Sequence, residues 1–239
     1  VNAYNANGKK LADLIFEISK ISGLKRIRYT TSHPRDFTDD LIVAHRECKK
    51  LMPLIHLPVQ SGSDKILKSM NRKHTIKEYL RILDKLNKAN PKIKFSSDFI
   101  IGYPGEDYND YKKTVSLMKE IKFINSYSFI FSPRPGTVAS NLKPIDNKIS
   151  IERLEKIQNQ LFSNQIEMNK SLKNETLEVL VENLTDDKKY VFGRSEYMTP
   201  VIVDGNKDDI GKILTVKIKQ YNRSTLFGDR VNNSKQKVA

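Results

Sequence analysis

The sequence predicts an α/β domain built on a parallel sheet, followed by a small antiparallel β-barrel of the OB type. Three observations carry this. Through residue 171, short apolar runs alternate with amphipathic stretches of helical period, the pattern of strands joined by right-handed crossover helices. Beyond residue 172 the period changes to two, in five short runs divided by turn residues. A hydrophobic content of 38%, with ten Phe and ten Tyr, supplies a packed core and excludes a broadly disordered chain.

The elements follow in order. Leu11, Leu14, Ile15, Ile18 and Ile21 recur at helical spacing, with Gly23 as a stop. Arg26–Thr31 reads as a strand, and Thr38 opens a helical segment ending near Met52-Pro53. Leu54–Val59 is a buried strand, and Ser63 caps a short helix through Met70. Thr75-x-x-Glu78 is a capping box for a helix with Tyr79, Leu80, Ile82, Leu83 and Leu86 on its apolar side. Phe95–Ile101 is a strand closed by Gly102, Asp107–Ile121 a helix, Ser126–Phe131 a strand and Ile151–Leu172 a last long helix. The later strands are Thr176–Leu184, Tyr190–Ser195, Pro200–Asp204, Lys212–Tyr221 and Thr225–Val231. The chain thus divides into residues 1–171, residues 172–232 and a polar tail at 233–239.

Composition bounds function. No apolar run approaches the roughly 20 residues of a membrane span, so no membrane partner and a cytoplasmic location are expected. The single cysteine, Cys48, excludes a disulfide framework and any iron–sulfur site built from this chain's own thiolates, which needs three or four. Cys48 reads as a small buried hydrophobe. The four histidines share no metal-ligand spacing; His56 is expected at a strand end, and His45 and His74 on the surface. Because the chain opens on Val1 with no signal segment, it is expected to begin part-way through a longer protein. The net charge is +14, which suits a polyanion partner, although the excess of Lys over Arg is also what an AT-rich coding sequence gives. Residues 1–171 carry 30 basic and 18 acidic side chains and residues 172–239 carry 12 and 10, so the positive charge sits mostly on the α/β part.

Four loops lie where open α/β sheets hold ligands, at the carboxyl ends of strands: Thr30–Pro34, Leu57–Ser63, Asp98–Glu106 and Phe131–Thr137. Each mixes hydroxyl or amide side chains with Pro or Gly, which suits close approach of backbone to a polar small molecule. Taken singly, each is also an ordinary strand-to-helix turn.

Together these segments resemble the radical-SAM methylthiotransferase family, in its tRNA-modifying branch. Thr30–Pro34, His56–Ser63, Ser96–Glu106 and Tyr127–Thr137 match in order and spacing, and Val1–Tyr4 is similar to the end of the second barrel strand. The carboxyl part resembles the TRAM domain, a small RNA-binding barrel. The resemblance implies a partial parallel (β/α) barrel that binds S-adenosylmethionine and a [4Fe–4S] cluster, with a second cluster in an amino-terminal domain. It implies methylthiolation at C2 of N6-isopentenyladenosine next to the anticodon: an adenosyl radical abstracts the C2 hydrogen, sulfur is delivered, and a second S-adenosylmethionine gives the methyl group. The implied partners are the tRNA anticodon stem-loop and an electron donor. The family's Cys-x-x-x-Cys-x-x-Cys motif has no counterpart here, so the chain is expected to be inactive alone, with no catalytic or metal-binding residue of its own.

Site residues follow by resemblance, each beside a plainer account. Gln60 and Ser61 would contact the polar groups of S-adenosylmethionine, or merely cap the next helix. Gly102, Pro104 and Glu106 would lie against the adenine, or form a tight turn whose carboxylate favours the following helix. Asn2 and Ser32 belong to the same pocket, and Asp98 would bond a ribose hydroxyl or satisfy backbone groups. For RNA, Arg134 between two prolines would meet phosphate or a base. Arg194, Tyr197, Tyr221, Arg223 and Arg230 would make a cation–aromatic platform in the barrel, with Tyr190 and Phe192 in its core and Lys212, Lys217 and Lys219 on a solvated face. Two rivals stand: the relative that methylthiolates an aspartate of a ribosomal protein, and a non-enzymatic RNA-binding remnant.

Overall fold

A computed structural model describes residues 1–30 and 32–231; Thr31, in the first predicted strand and loop, and residues 232–239, with the predicted polar tail, lie outside the described residues. The chain forms two compact units, Val1–Asn164 and the part from Gln165 on.

The first unit opens on a hairpin, β1 (Asn5–Ala6) and β2 (Lys9–Lys10). Asn7 and Gly8 turn it, both with positive φ, as a two-residue Asn-Gly hairpin requires. Val1–Tyr4 is a turn closed by the Tyr4 N–H on the Val1 carbonyl, not a strand end. Helix α1 (Leu11–Ser19) buries Leu11, Ala12 and Ile15. The predicted strand at 26–31 contracts to one parallel bridge, Ile27 with Leu51; it is an edge segment hydrogen-bonded on one side. Helix α2 (Asp39–Glu47) follows, and Cys48, its buried carboxyl-terminal cap, donates its N–H to Ala44.

Strand β3 (Leu54–His56), helix α3 (Asp64–Ser69) and helix α4 (Ile76–Ala89) come next. The capping box at Thr75 and Glu78 forms in both directions. The single predicted strand at 95–101 is two, β4 (Lys94–Ser96) and β5 (Asp98–Ile101). Ser97 stands between them: its hydroxyl accepts from Val59 N–H and its N–H donates to Ser126 Oγ. The strand therefore pairs with β3 before Ser97 and with β6 (Tyr127–Ile130) after it, parallel in both cases. Helix α5 (Tyr108–Ile121) crosses over between them, and α6 (Asn147–Ser171) runs on into the second unit. The core gathers Ile15, Leu41, Ile55, Leu57, Leu83, Leu86, Phe99, Ile101 and Phe123 between sheet and helices. No helix among the described residues is long and apolar enough to cross a membrane.

The second unit is a closed five-stranded barrel: β7 (Thr176–Leu184), β8 (Val191–Ser195), β9 (Pro200–Val203), β10 (Ile213–Tyr221) and β11 (Leu226–Arg230). Leu177, Val179, Val181, Val201, Val203, Leu214, Val216 and Ile218 point inward at every second position, which is why the period-two pattern was readable. The pairing is antiparallel except between β9 and β11, which run parallel. The expected small OB-type barrel is therefore present, and closing an odd number of alternating strands forces its one parallel seam. Gly193 and Gly228 sit where a Cβ would strike the carbonyls of Leu180 and Lys217 across the wall, so the strands approach too closely there for any side chain.

Candidate cofactor pocket and RNA interface

The loop after β3 is stitched to strand β5 by backbone. Gln60 adopts a left-handed φ of 73°, donates its N–H to Asp98 and accepts from Ile100. This strained turn buries the Gln60 side chain beside the sheet end. Ser61 faces the other way: its hydroxyl accepts from the Ser63 N–H and lies 3.4 Å from Thr114 Oγ1 on α5. Ser61 therefore fixes the loop from inside. Ser63 in turn donates to Asp110, which pairs with Lys65 at 2.7 Å.

Asn2 is also a positioning group. Its amide donates to the His33 carbonyl and accepts from the His33 N–H, both at 2.8 Å, and so clamps the loop after the first sheet segment. The neighbouring Ser32 is buried, and its hydroxyl has no partner among the described residues. Asp98 is half-buried and its carboxylate lies 3.5 Å from His56 Nε2. Ser96 donates to the Asn125 carbonyl and so receives the Nδ1–H of His56.

Arg72, in the turn after α3, carries no signal in the sequence. Burial lowers the pKa of its guanidinium against the pull of Asp98, its charge in turn lowers His33 and His74, and no hydrogen bond holds its side chain among the described residues. Only the three-dimensional placement reveals it, since Asn71–His74 reads as a polar turn. His74 and His45, expected on the surface, are both buried. Burial lowers each to about 4; for His74 the His33 and Arg72 charges add to the effect.

The turn at 102–106 is defined by Gly102 (φ 72°) and Gly105 (φ 85°). A Cβ on Gly102 would lie 2.5 Å from Ser150 Oγ, so glycine is required twice over. Pro104 is buried and offers no side-chain donor. Glu106 points inward to accept from the Gly102 N–H at 3.3 Å and to meet Arg153 of α6 at 2.6 Å. Its second oxygen has no partner among the described residues, and burial raises its pKa against the pull of Arg153. Glu106 is therefore neither a helix-end charge nor an exposed ligand group.

The RNA candidates divide. Arg134 is exposed in a loop whose Thr137 side chain and N–H both donate to its carbonyl. Arg194 stacks over Phe192 and reaches Glu182 and the Met198 carbonyl. Arg223 is exposed in a turn whose backbone carbonyl accepts from Asn169, and Tyr221 is half-buried beside it. Arg230 lies 3.2 Å from the buried Asp209. Tyr197 is 7% exposed, and burial pushes its phenol up to about 12, so its ring is inside and offers no stacking face. Tyr190 is the reverse: expected in the core, it is exposed.

Residues 4–118 match the Radical SAM superfamily and residues 170–231 the TRAM domain. The tRNA-2-methylthio-N(6)-dimethylallyladenosine synthase of Pelagibacter ubique (strain HTCC1062) is 60% identical over 243 residues, covering 100% of this chain and 54% of its own length. The synthase of the same name from Bartonella quintana (strain Toulouse) is 44% identical over 95% of this chain and 50% of its own. The chain spans about half the length of the curated relatives it matches. Among solved structures, coproporphyrinogen III oxidase from Escherichia coli aligns with a TM-score of 0.47 at 12% identity, over 82% of this chain and 49% of that one. By these matches the chain resembles the Radical SAM superfamily over residues 4–118 and the TRAM domain over residues 170–231.

Proposed function

We propose that the chain supplies the S-adenosylmethionine-binding sheet ends and the RNA-binding barrel of a cytoplasmic tRNA methylthiotransferase, acting at C2 of N6-dimethylallyladenosine next to the anticodon. The observation that carries this is the collinear joining of the two domains in a chain 60% identical, along its whole length, to a synthase of that name.

The residues at the strand ends fit S-adenosylmethionine. Ser32 has a buried hydroxyl with no partner among the described residues, and Asp98 keeps a half-buried carboxylate. In this reading Gln60 and Ser32 hydrogen-bond the ligand's polar groups, Asp98 receives the ribose hydroxyls, and the Gly102–Pro104 turn lies on the adenine. Asn2, Ser61 and Glu106 hold those three loops in place. When bound, the cofactor supplies the hydrogen-abstracting chemistry and the methyl group.

The residues do not fit an iron–sulfur cluster. The one cysteine is buried at the end of α2, and no group of three or more His, Cys, Asp or Glu among the described residues could hold a metal ion. The two [4Fe–4S] clusters and the electron donor that the reading requires are not supplied by this chain.

Calorimetry with S-adenosylhomocysteine tests the cofactor half, and fluorescence anisotropy with an anticodon hairpin carrying N6-dimethylallyladenosine tests the RNA half. Saturable binding of both is expected, and failure to bind either one overturns the reading.

A further inference from the structure

The positive charge of the chain lies mainly on its first 171 residues, while the barrel that follows is close to neutral. Within the first unit, a cleft of about 500 Å³ runs between α5 and α6. Lys112 and Lys119 line one wall and Lys156 the other, with Ser116, Asn159, Gln160 and Ser163 between them. No carboxylate is among the lining residues. Asp107 and Asp110, the acids at the start of α5, are both paired with Lys65. Among the described residues no hydrogen bond or ion pair holds Lys112, Lys119 or Lys156; Lys112 only leans over the Tyr108 ring at 5.7 Å. Tyr108, which also lines the cleft, is 64% exposed and stands two residues after the turn at 102–106.

A run of surface lysines is ordinarily a solvated helix face balanced by acids at i+3 and i+4. Here lysines from two helices converge on one cleft with no acid in its lining. Hydroxyl and amide side chains add the donors that phosphate and sugar oxygens take, and an exposed aromatic ring joins them. The charge complement is a phosphodiester chain.

We propose that the α5–α6 cleft is a second RNA-binding surface, in which Lys112, Lys119 and Lys156 hold backbone phosphates and Tyr108 stacks on a nucleotide. This rests on the tRNA reading above and adds a contact surface to it. The cations there are uncommitted, whereas in the TRAM barrel Arg194 and Arg230 face Glu182 and Asp209.

The test is anisotropy of a labelled anticodon hairpin against the whole chain, from 50 to 300 mM salt. The triple variant Lys112→Ala, Lys119→Ala, Lys156→Ala is expected to bind about tenfold more weakly at 100 mM salt, with the slope of log K against log salt reduced by about two. Tyr108→Ala is expected to lose severalfold in affinity with the slope unchanged, because stacking releases no counterions. All four side chains are exposed, and circular dichroism checks the fold. If wild-type binds and the triple variant matches it in affinity and slope, the cleft is not an RNA surface. If wild-type binds no RNA, the tRNA reading fails and takes this proposal with it. If polyglutamate competes as well as unlabelled hairpin, the cleft is an unselective polyanion site, and the RNA assignment is overturned.

Discussion

Arg153 Nη1 on α6 lies 2.6 Å from Glu106 Oε1, with both side chains almost wholly withdrawn from water. The same carboxylate oxygen accepts from the Gly102 N–H. One ion pair thus connects a long helix to the turn proposed to cover the adenine. A buried pair is weak evidence of net stabilisation, yet removing one partner leaves an uncompensated charge. Arg153→Ala is expected to destabilise the first unit by about 3–5 kcal/mol, and Glu106→Gln by clearly less, since the glutamine carbonyl can still accept from Arg153 and from the Gly102 N–H, and the guanidinium keeps its place over the Tyr111 ring. Urea unfolding of the two variants gives the order, and equal losses would refute the argument. The pH dependence has a definite sign. Because the folded pKa of Glu106 is raised, the folded state holds its proton to higher pH than the unfolded state. This group's contribution therefore falls as pH rises from the ordinary carboxylate value through the raised one, and more steeply in Arg153→Ala.

Gly102 offers a second test. An alanine there adopts left-handed backbone at roughly 1–2 kcal/mol and also meets Ser150 Oγ. Gly102→Ala is expected to cost roughly 2 kcal/mol or more by thermal or urea unfolding. Ser150→Gly in the same chain should recover the steric part only, leaving the backbone part. Full recovery would show that the left-handed conformation is not needed.

The buried histidines set an acid limit. His45 is 4% exposed, and its ring lies 2.6 Å from the Tyr29 hydroxyl. Its pKa falls from the ordinary 6.5 to about 4 through burial. Between these values the unfolded chain binds a proton that the folded chain does not. The stability is therefore complete above about 6.5 and is lost as pH falls toward 4, by about 3 kcal/mol for a shift of this size. His45→Gln should flatten urea-measured stability between pH 7 and 4.5, although His74, lowered for the same reason, will keep part of the slope. A variant with wild-type pH dependence would exclude His45 as a source.

Legibility in the sequence followed periodicity. The five barrel strands were readable because a closed barrel has one inside, so alternation alone separates Val179 and Val181 from Glu178 and Glu182. It failed at strand ends. Tyr190 stands just before β8 and swings out, while Tyr197 follows β8 and tucks under the turn closed by the Ser195 N–H on Thr199. The pocket loops were found as motifs, but the division of labour within them was not. Ser61 turns to α5 and Glu106 to α6 through contacts with Thr114 and Arg153, residues 53 and 47 positions away, a separation no local pattern encodes. Arg72 was hidden for the same reason.

The barrel arginines should separate by what each already holds. Arg223 is exposed in its turn, and Arg194 lies over Phe192 beside Glu182, so the Arg194–Glu182 pair is a solvent-exposed one of small worth. Arg194→Ala with Arg223→Ala is expected to weaken hairpin binding and reduce its salt slope by one to two, about one for each phosphate no longer neutralised, with little change in melting temperature. Arg230 differs, because its partner Asp209 is 4% exposed. Arg230→Ala strands that carboxylate, so a loss of about 1–3 kcal/mol in stability is expected. Any fall in RNA affinity should then track the melting temperature. If Arg230→Ala keeps its stability and lowers the salt slope instead, Arg230 is a phosphate contact and its pairing with Asp209 is incidental.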